Sequence, residues 1–255
     1  MTGLRLPPAL LPAWLSALLL VASLGAQAAH PLATEDPDTQ GKGGQQIELA
    51  SDWVRDESTR RHFGSIEYTL GLRDDLDGIV LLPVTASVPR GVGDVALGLK
   101  WRLAEHQGWS VALKPELILP TGNENHGNGT GRASAALTGV LSHHVPGWTM
   151  HANFGASYNR YKLAEDAAAN HSLIWRASAA LLHAVNDGLK VAGEFGLERA
   201  ADKSQDKAPG FFLLGLIYSL RENLDLDAGM RVNVRCSQCN GMTSRQFGVG
   251  LTSRF

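Results

Sequence analysis

Beyond its first two dozen residues, the 255-residue chain lacks any apolar run long enough to cross a bilayer as a helix. Cysteine is nearly absent: only Cys236 and Cys239 occur, which excludes a small fold held by several disulfides. Neither sign of charge dominates, with 23 Lys and Arg against 25 Asp and Glu and a net charge of −2. The clustered basic surface that nucleic-acid binding requires is therefore missing. The nine histidines are scattered without ligand spacing, so neither a metal nor a cofactor is expected. Gly122–Gly131 is glycine-rich but lacks the Gly-Lys-Ser/Thr ending and following helix of a phosphate loop. Ser142-His143 and His171-Ser172 are adjacent pairs, and neighbours on a strand face opposite sides. A Ser–His dyad would have to assemble across strands, and no catalytic residue is expected.

What is present begins with a leader. Arg5, an apolar stretch from Leu10 to Leu24 and the small-residue triplet Ala26-Gln27-Ala28 predict a signal peptide over residues 1–28. The rest is dominated by period-two alternation. Trp109, Val111, Leu113, Pro115 and Leu117 alternate with Ser110, Ala112, Lys114 and Glu116, and Leu189, Val191, Gly193, Phe195 and Leu197 alternate with Lys190, Ala192, Glu194 and Gly196. The pattern predicts twelve strands near 45–54, 63–72, 79–87, 94–103, 109–119, 133–142, 148–158, 172–183, 189–198, 211–220, 224–232 and 245–255. The phase of 79–87 is ambiguous because nearly every residue there is apolar. Short links follow the even strands and longer polar links generally follow the odd ones, as in barrels that cross the outer membrane.

Alternation alone leaves open which face is outside. A soluble calycin-like barrel would turn the apolar face inward, but twelve strands enclose more space than side chains can fill. Aromatics also gather at the strand ends. Trp101, Trp109, Trp148, Tyr218 and Phe255 lie near the short turns, while Trp53, Phe63, Tyr158, Trp175, Phe195, Phe212 and Phe247 lie near the long loops. Two such girdles mark two membrane interfaces. Shifting the phase by one would place Lys100, Lys114, Glu116, Arg176, Glu194 and Asp227 in lipid, at about 2–4 kcal/mol for each Lys or Arg near the midplane and less for the acids. The expected fold is thus an all-β transmembrane antiparallel barrel of about twelve strands over residues 45–255, with both termini periplasmic, in a Gram-negative outer membrane. Its final strand, closed by Phe255, resembles the signal read by the barrel-assembly machinery, which joins membrane lipid and a small solute as expected partners.

With that phase, the lumen receives Glu67, Lys100, Arg102, Lys114, Glu116, His151, Arg176, Lys190, Glu194, Asp225, Asp227 and Arg231. They could line a polar conduit that selects a solute, or pair with one another in a closed, wet interior. The polar segment 29–44 could likewise plug the lumen or hang as a periplasmic tail. Cys236 and Cys239 fall in the loop before the last strand, where a local disulfide is the first reading; a metal site lacks ligands and a thioredoxin-like role lacks its βαβ setting.

Several blocks carry a resemblance. The mature opening His30-Pro31-Leu32-Ala33-Thr34-Glu35-Asp36, then Gly93-Asp94-Val95-Ala96-Leu97-Gly98-Leu99-Lys100, then Lys114-Pro115-Glu116-Leu117-Ile118-Leu119-Pro120-Thr121-Gly122 and Gly127-Asn128-Gly129-Thr130-Gly131-Arg132 form the set. Together they resemble a family of outer-membrane proteins associated with the meta-cleavage pathway of phenol degradation. The resemblance implies a transporter, and it supplies neither an established substrate nor a catalytic residue. The expected function is a channel or transporter for small, aromatic or otherwise hydrophobic compounds. The alternatives are a non-transporting surface or envelope barrel and, less favoured, an outer-membrane hydrolase.

Overall fold

A computed structural model describes residues 30–55, 60–204, 208–234 and 244–255. The expected leader and both cysteines, Cys236 and Cys239, lie outside the described residues. Twelve long strands follow in order: β1 (Gln45–Arg55), β2 (Arg60–Arg73), β3 (Leu76–Thr85), β4 (Ala96–His106), β5 (Trp109–Ile118) and β6 (Ser134–Val145), then β7 (Trp148–Tyr158), β8 (Leu173–Asn186), β9 (Leu189–Glu198), β10 (Gly210–Arg221), β11 (Leu224–Val234) and β12 (Arg245–Arg254). Each pairs antiparallel with its successor, and β1 pairs with β12, so the sheet closes. Gln45 and Phe255 exchange two backbone hydrogen bonds of 3.0 Å at the seam. Closure leaves no unpaired edge among the twelve, which a sheet in hydrocarbon requires.

One end carries five two-residue turns: 74–75, 107–108, 146–147, 187–188 and 222–223. Gln107 and Gly108 both have positive φ, 49° and 80°, the type I′ geometry that matches the twist of the flanking strands. The other end carries the long loops. There the sequence blocks around Asp94, Gly122 and Thr130 converge. The Asp94 carboxylate accepts from Gly122 N at 2.9 Å, Thr130 N at 2.8 Å and Thr130 Oγ1 at 3.0 Å. A short helix, Ala164–Ala169, lies in another of these loops.

The two faces separate sharply. On β10, Leu214 is 59% exposed while Leu213 and Ile217 are 3% and 4% exposed, so residues of one chemical type are sorted by parity alone. On β3 the ambiguous phase resolves with Asp77 and Ile79 inward and Val80 outward. Outward aromatics stack with histidines across the strands. Trp109 and His143 stack at 4.1 Å and Trp148 and His183 at 4.2 Å near the short turns, and Trp53 lies 4.8 Å from His62 near the long loops. One girdle assignment is corrected. Phe63 shares the inner parity of Glu67 and faces Asp52 across the ladder, so His62 holds the outer position beside Trp53.

Candidate functional site

Residues 30–44 run inside the barrel as a strap that follows the inner wall. The strap is tied at its barrel end by Gly43 N to Gly71 O and Gly71 N to Gly44 O, each 2.8 Å. A Cβ at Gly71 would fall 1.7 Å from the Gly41 carbonyl oxygen, so this close approach needs glycine. From there successive residues meet successive strands. Gln40 N donates to Asp77 on β3 at 3.1 Å; Asp36 pairs with Lys100 on β4 at 3.5 Å; Glu35 pairs with Lys114 on β5 and its backbone is bracketed by the Asn153 amide of β7, turned oxygen toward Glu35 N–H.

The path continues around the wall. The Thr34 hydroxyl lies 2.7 Å from both Ser178 Oγ on β8 and Glu194 Oε1 on β9, and Ala33 N donates to Glu194 at 2.9 Å. Leu32 packs with Ala180, Leu182, Ala192, Leu213 and Ile217. Pro31 and His30 then cross β10, β11 and β12 over a row of glycines in register, Gly215, Gly229 and Gly248. Cβ atoms added at Gly215 and Gly229 would come within 2.7 and 2.5 Å of Pro31. His30 ends the circuit between Asp227 on β11 and Asp52 on β1, the latter at 3.6 Å. In fifteen residues the strap therefore travels nearly the whole inner circumference.

The charged groups read from the sequence are placed as follows. Lys100, Lys114, His151, Glu194, Asp225 and Asp227 are buried, and Glu67, Arg102, Glu116, Arg176, Lys190 and Arg231 are half-buried. Many are paired. Lys114 also reaches Glu116 at 3.8 Å, Glu198 bridges Arg176 at 2.8 Å and Arg231 at 3.5 Å, and Asp225 binds Arg254 at 2.9 Å. Arg102 pairs with Glu105 at 3.3 Å and donates to Asp74 O at 3.0 Å. Burying such charges is tolerable only because opposite charges and hydrogen bonds meet them.

Sequence reasoning missed the strap's own acids Glu35 and Asp36, and the inward Glu48, Asp52, Asp77 and Arg254. Parity along the first strand would have flagged Glu48 and Asp52; the strap acids give no periodic signal. It also missed that part of the inner wall is apolar. Ile79, Leu182, Phe211, Leu213 and Ile217 point inward and are buried, with the Arg231 guanidinium 3.8 Å above the Phe211 ring.

Burial disfavours the His30 imidazolium, but hydrogen bonds to Asp227 and then Asp52 outweigh it and raise the pKa to about 9. Burial would raise Glu35, yet the ammonium groups of Lys114 and Lys100 hold it below the usual carboxylate range. Burial, reinforced by Asp36, lifts Asp38 to about 6. Above the strap, toward the long loops, lies a cavity of about 320 Å³ with Ala33, Glu35 and Lys114 at its base and Glu67, Leu81, Glu116, Ile174, Arg176 and Glu198 around it. Ser142 and His151, opposed on β6 and β7, share a hydrogen bond on the inner face. Among the described residues no carboxylate hydrogen-bonds to that imidazole.

The barrel resembles solved outer-membrane channels. An outer-membrane channel from Pseudomonas putida F1 superposes with a TM-score of 0.68 at 15% identity, covering 86% of this chain and 98% of that one. The NanC porin gives 0.60 at 9% identity, with 80% and 98% covered. The CymD monoaromatic hydrocarbon channel gives 0.50 at 10% identity, with 91% and 94% covered. No curated protein sequence matches. The profile of the family described as "Putative MetA-pathway of phenol degradation" matches residues 28–249.

Proposed function

Since the chain belongs to this phenol-degradation family, we propose that it is an outer-membrane channel for small, aromatic or otherwise hydrophobic compounds, gated by its N-terminal strap. The long loops face the exterior and both termini the periplasm, in keeping with the short turns of outer-membrane barrels on the periplasmic side. The observation that carries the reading is the inner strap: a continuous segment circles the wall and leaves a cavity of about 320 Å³ open toward the long loops. That volume suits a compound of one or two rings rather than a large polymer. Its wall combines Leu81 and Ile174 with paired charges, so an apolar body and a polar group both find partners. The monoaromatic solute named for the CymD channel supports the aromatic class.

The strap's ion pairs and packing close the lumen at rest, and its release opens it. Barrel-assembly machinery inserts the chain by its final strand, after removal of residues 1–28. In this reading the barrel is a conduit; among the described residues no carboxylate hydrogen-bonds to His151 to orient it as a general base for Ser142.

Planar-bilayer conductance and liposome uptake test the reading. The intact barrel should pass phenol-sized compounds slowly, and a variant lacking residues 30–43 should pass them at least tenfold faster. A second reading, a non-transporting surface barrel, is favoured by the density of strap contacts. Equal impermeability of the intact and shortened barrels would establish it instead.

A further inference from the structure

Transport leaves one feature of the outer surface unexplained. β12, β1 and β2 are neighbours, and their register sets Arg245 opposite Arg55 and Arg55 opposite Arg60. All three are exposed and share the outward parity of Trp53. Two residues toward the barrel middle, on the same face, lies the row Phe247, Trp53 and His62; four residues further lies Leu251, Leu49 and Ile66. Moving toward the long loops, the outer face passes from aliphatic to aromatic to cationic. Apolar side chains meet hydrocarbon and aromatic rings meet the interface, so the arginines stand at the level of the headgroups.

Like charges directly opposite each other in a ladder are unfavourable. Among the described residues no carboxylate pairs with Arg55, Arg60 or Arg245; Asp56 and Glu57, in the connecting loop, lie outside the described residues. Three aligned guanidinium groups are a poor arrangement for bare surface and a good one for a multivalent anion. Guanidinium groups grip phosphate oxygens bidentately. Strand spacing spreads the three over roughly 10 Å, which suits a headgroup with two phosphates better than a single ion.

We propose that the row Arg245, Arg55 and Arg60 binds the phosphates of a phosphorylated glycolipid in the outer leaflet, whose acyl chains lie along Trp53 and Leu49. The proposal rests on the membrane orientation given above.

Binding is measurable on the folded barrel in detergent, by native mass spectrometry. The probes are bisphosphorylated lipid A, its dephosphorylated form and inorganic phosphate. The phosphorylated form should bind at least tenfold more tightly than the dephosphorylated one. Replacing Arg55→Gln, Arg60→Gln and Arg245→Gln together should erase that preference, while Arg221→Gln, at the opposite rim, should keep it. Equal binding of the two lipids by the wild type, or a preference that survives the triple replacement, overturns the assignment. Inorganic phosphate binding as tightly as the lipid would make this a free-anion site and overturn it too. Should the triple variant fail to fold, Arg55→Gln alone must weaken the preference, and rising salt must shrink it in the wild type. Because the readout is binding in detergent, a barrel silent in bilayers would defeat the channel reading and leave this one standing.

Discussion

Raising the pH should release the strap through a single side chain. His30 is half-buried between Asp227 and Asp52, and its pKa rises from 6.5 to about 9 when docked. A raised histidine pKa means that the docked strap binds the proton more tightly than the free strap does. Its contribution is therefore complete below about pH 6.5 and is lost as pH climbs to about 9. Each tenfold change in the ratio corresponds to about 1.4 kcal/mol, so the rise from 6.5 to about 9 is worth about 3 kcal/mol, or roughly three-hundredfold in the docked-to-free ratio once the full range is crossed. Asp38, with its pKa at about 6, has finished titrating before most of this window. Hydrogen exchange of the peptide spanning 30–40, corrected for the intrinsic pH dependence of exchange, reads that ratio directly. Protection should fall by one to two orders of magnitude between pH 6.5 and 9.5, and His30→Gln should be weakly protected and flat across the same range. Constant protection in the wild type, or the same slope in His30→Gln, would refute the reasoning.

Other consequences follow from the same contacts. Lys114→Met leaves Glu35 and Glu116 without their shared cation, and breaking such a buried pair costs about 3–5 kcal/mol; the loss should appear in urea unfolding of the barrel in detergent. Gly229→Leu would drive a side chain into Pro31, since even a Cβ there falls 2.5 Å away. It should expel the strap while the barrel keeps its heat-modifiable migration on gels, and solute uptake should rise. On the outer face, Leu216→Arg should cost about 2–4 kcal/mol of folding stability in lipid, whereas Phe255→Arg at the rim should cost under about 1 kcal/mol. Cys236 and Cys239 should resist alkylation until reductant is added, a test of the local disulfide by mass spectrometry.

The number of strands, their order and the direction of most side chains were legible in the residues themselves. The reason is local: a strand repeats every two residues, and a charge on the lipid face is costly enough that only one phase survives. Lys114 between Leu113 and Pro115, or Glu194 between Gly193 and Phe195, announces its own direction. On β3 the same logic failed because both faces are apolar, and only neighbouring strands settled that Ile79 looks inward and Val80 outward. Phe63 and His62 were likewise distinguished only by register with Asp52 and Trp53.

Tertiary structure alone decided what fills the barrel. Residues 30–44 carry no period, because they form no ladder with the wall over most of their path. Their course is fixed instead by contacts across as many as 197 residues, from His30 to Asp227. Glycines in register at 215, 229 and 248 look in sequence like gaps in a polar face, and in three dimensions they are the track on which the strap lies. A lipid-facing pattern is enforced one residue at a time by the solvent. A path through the lumen is enforced only once closure brings every wall into reach.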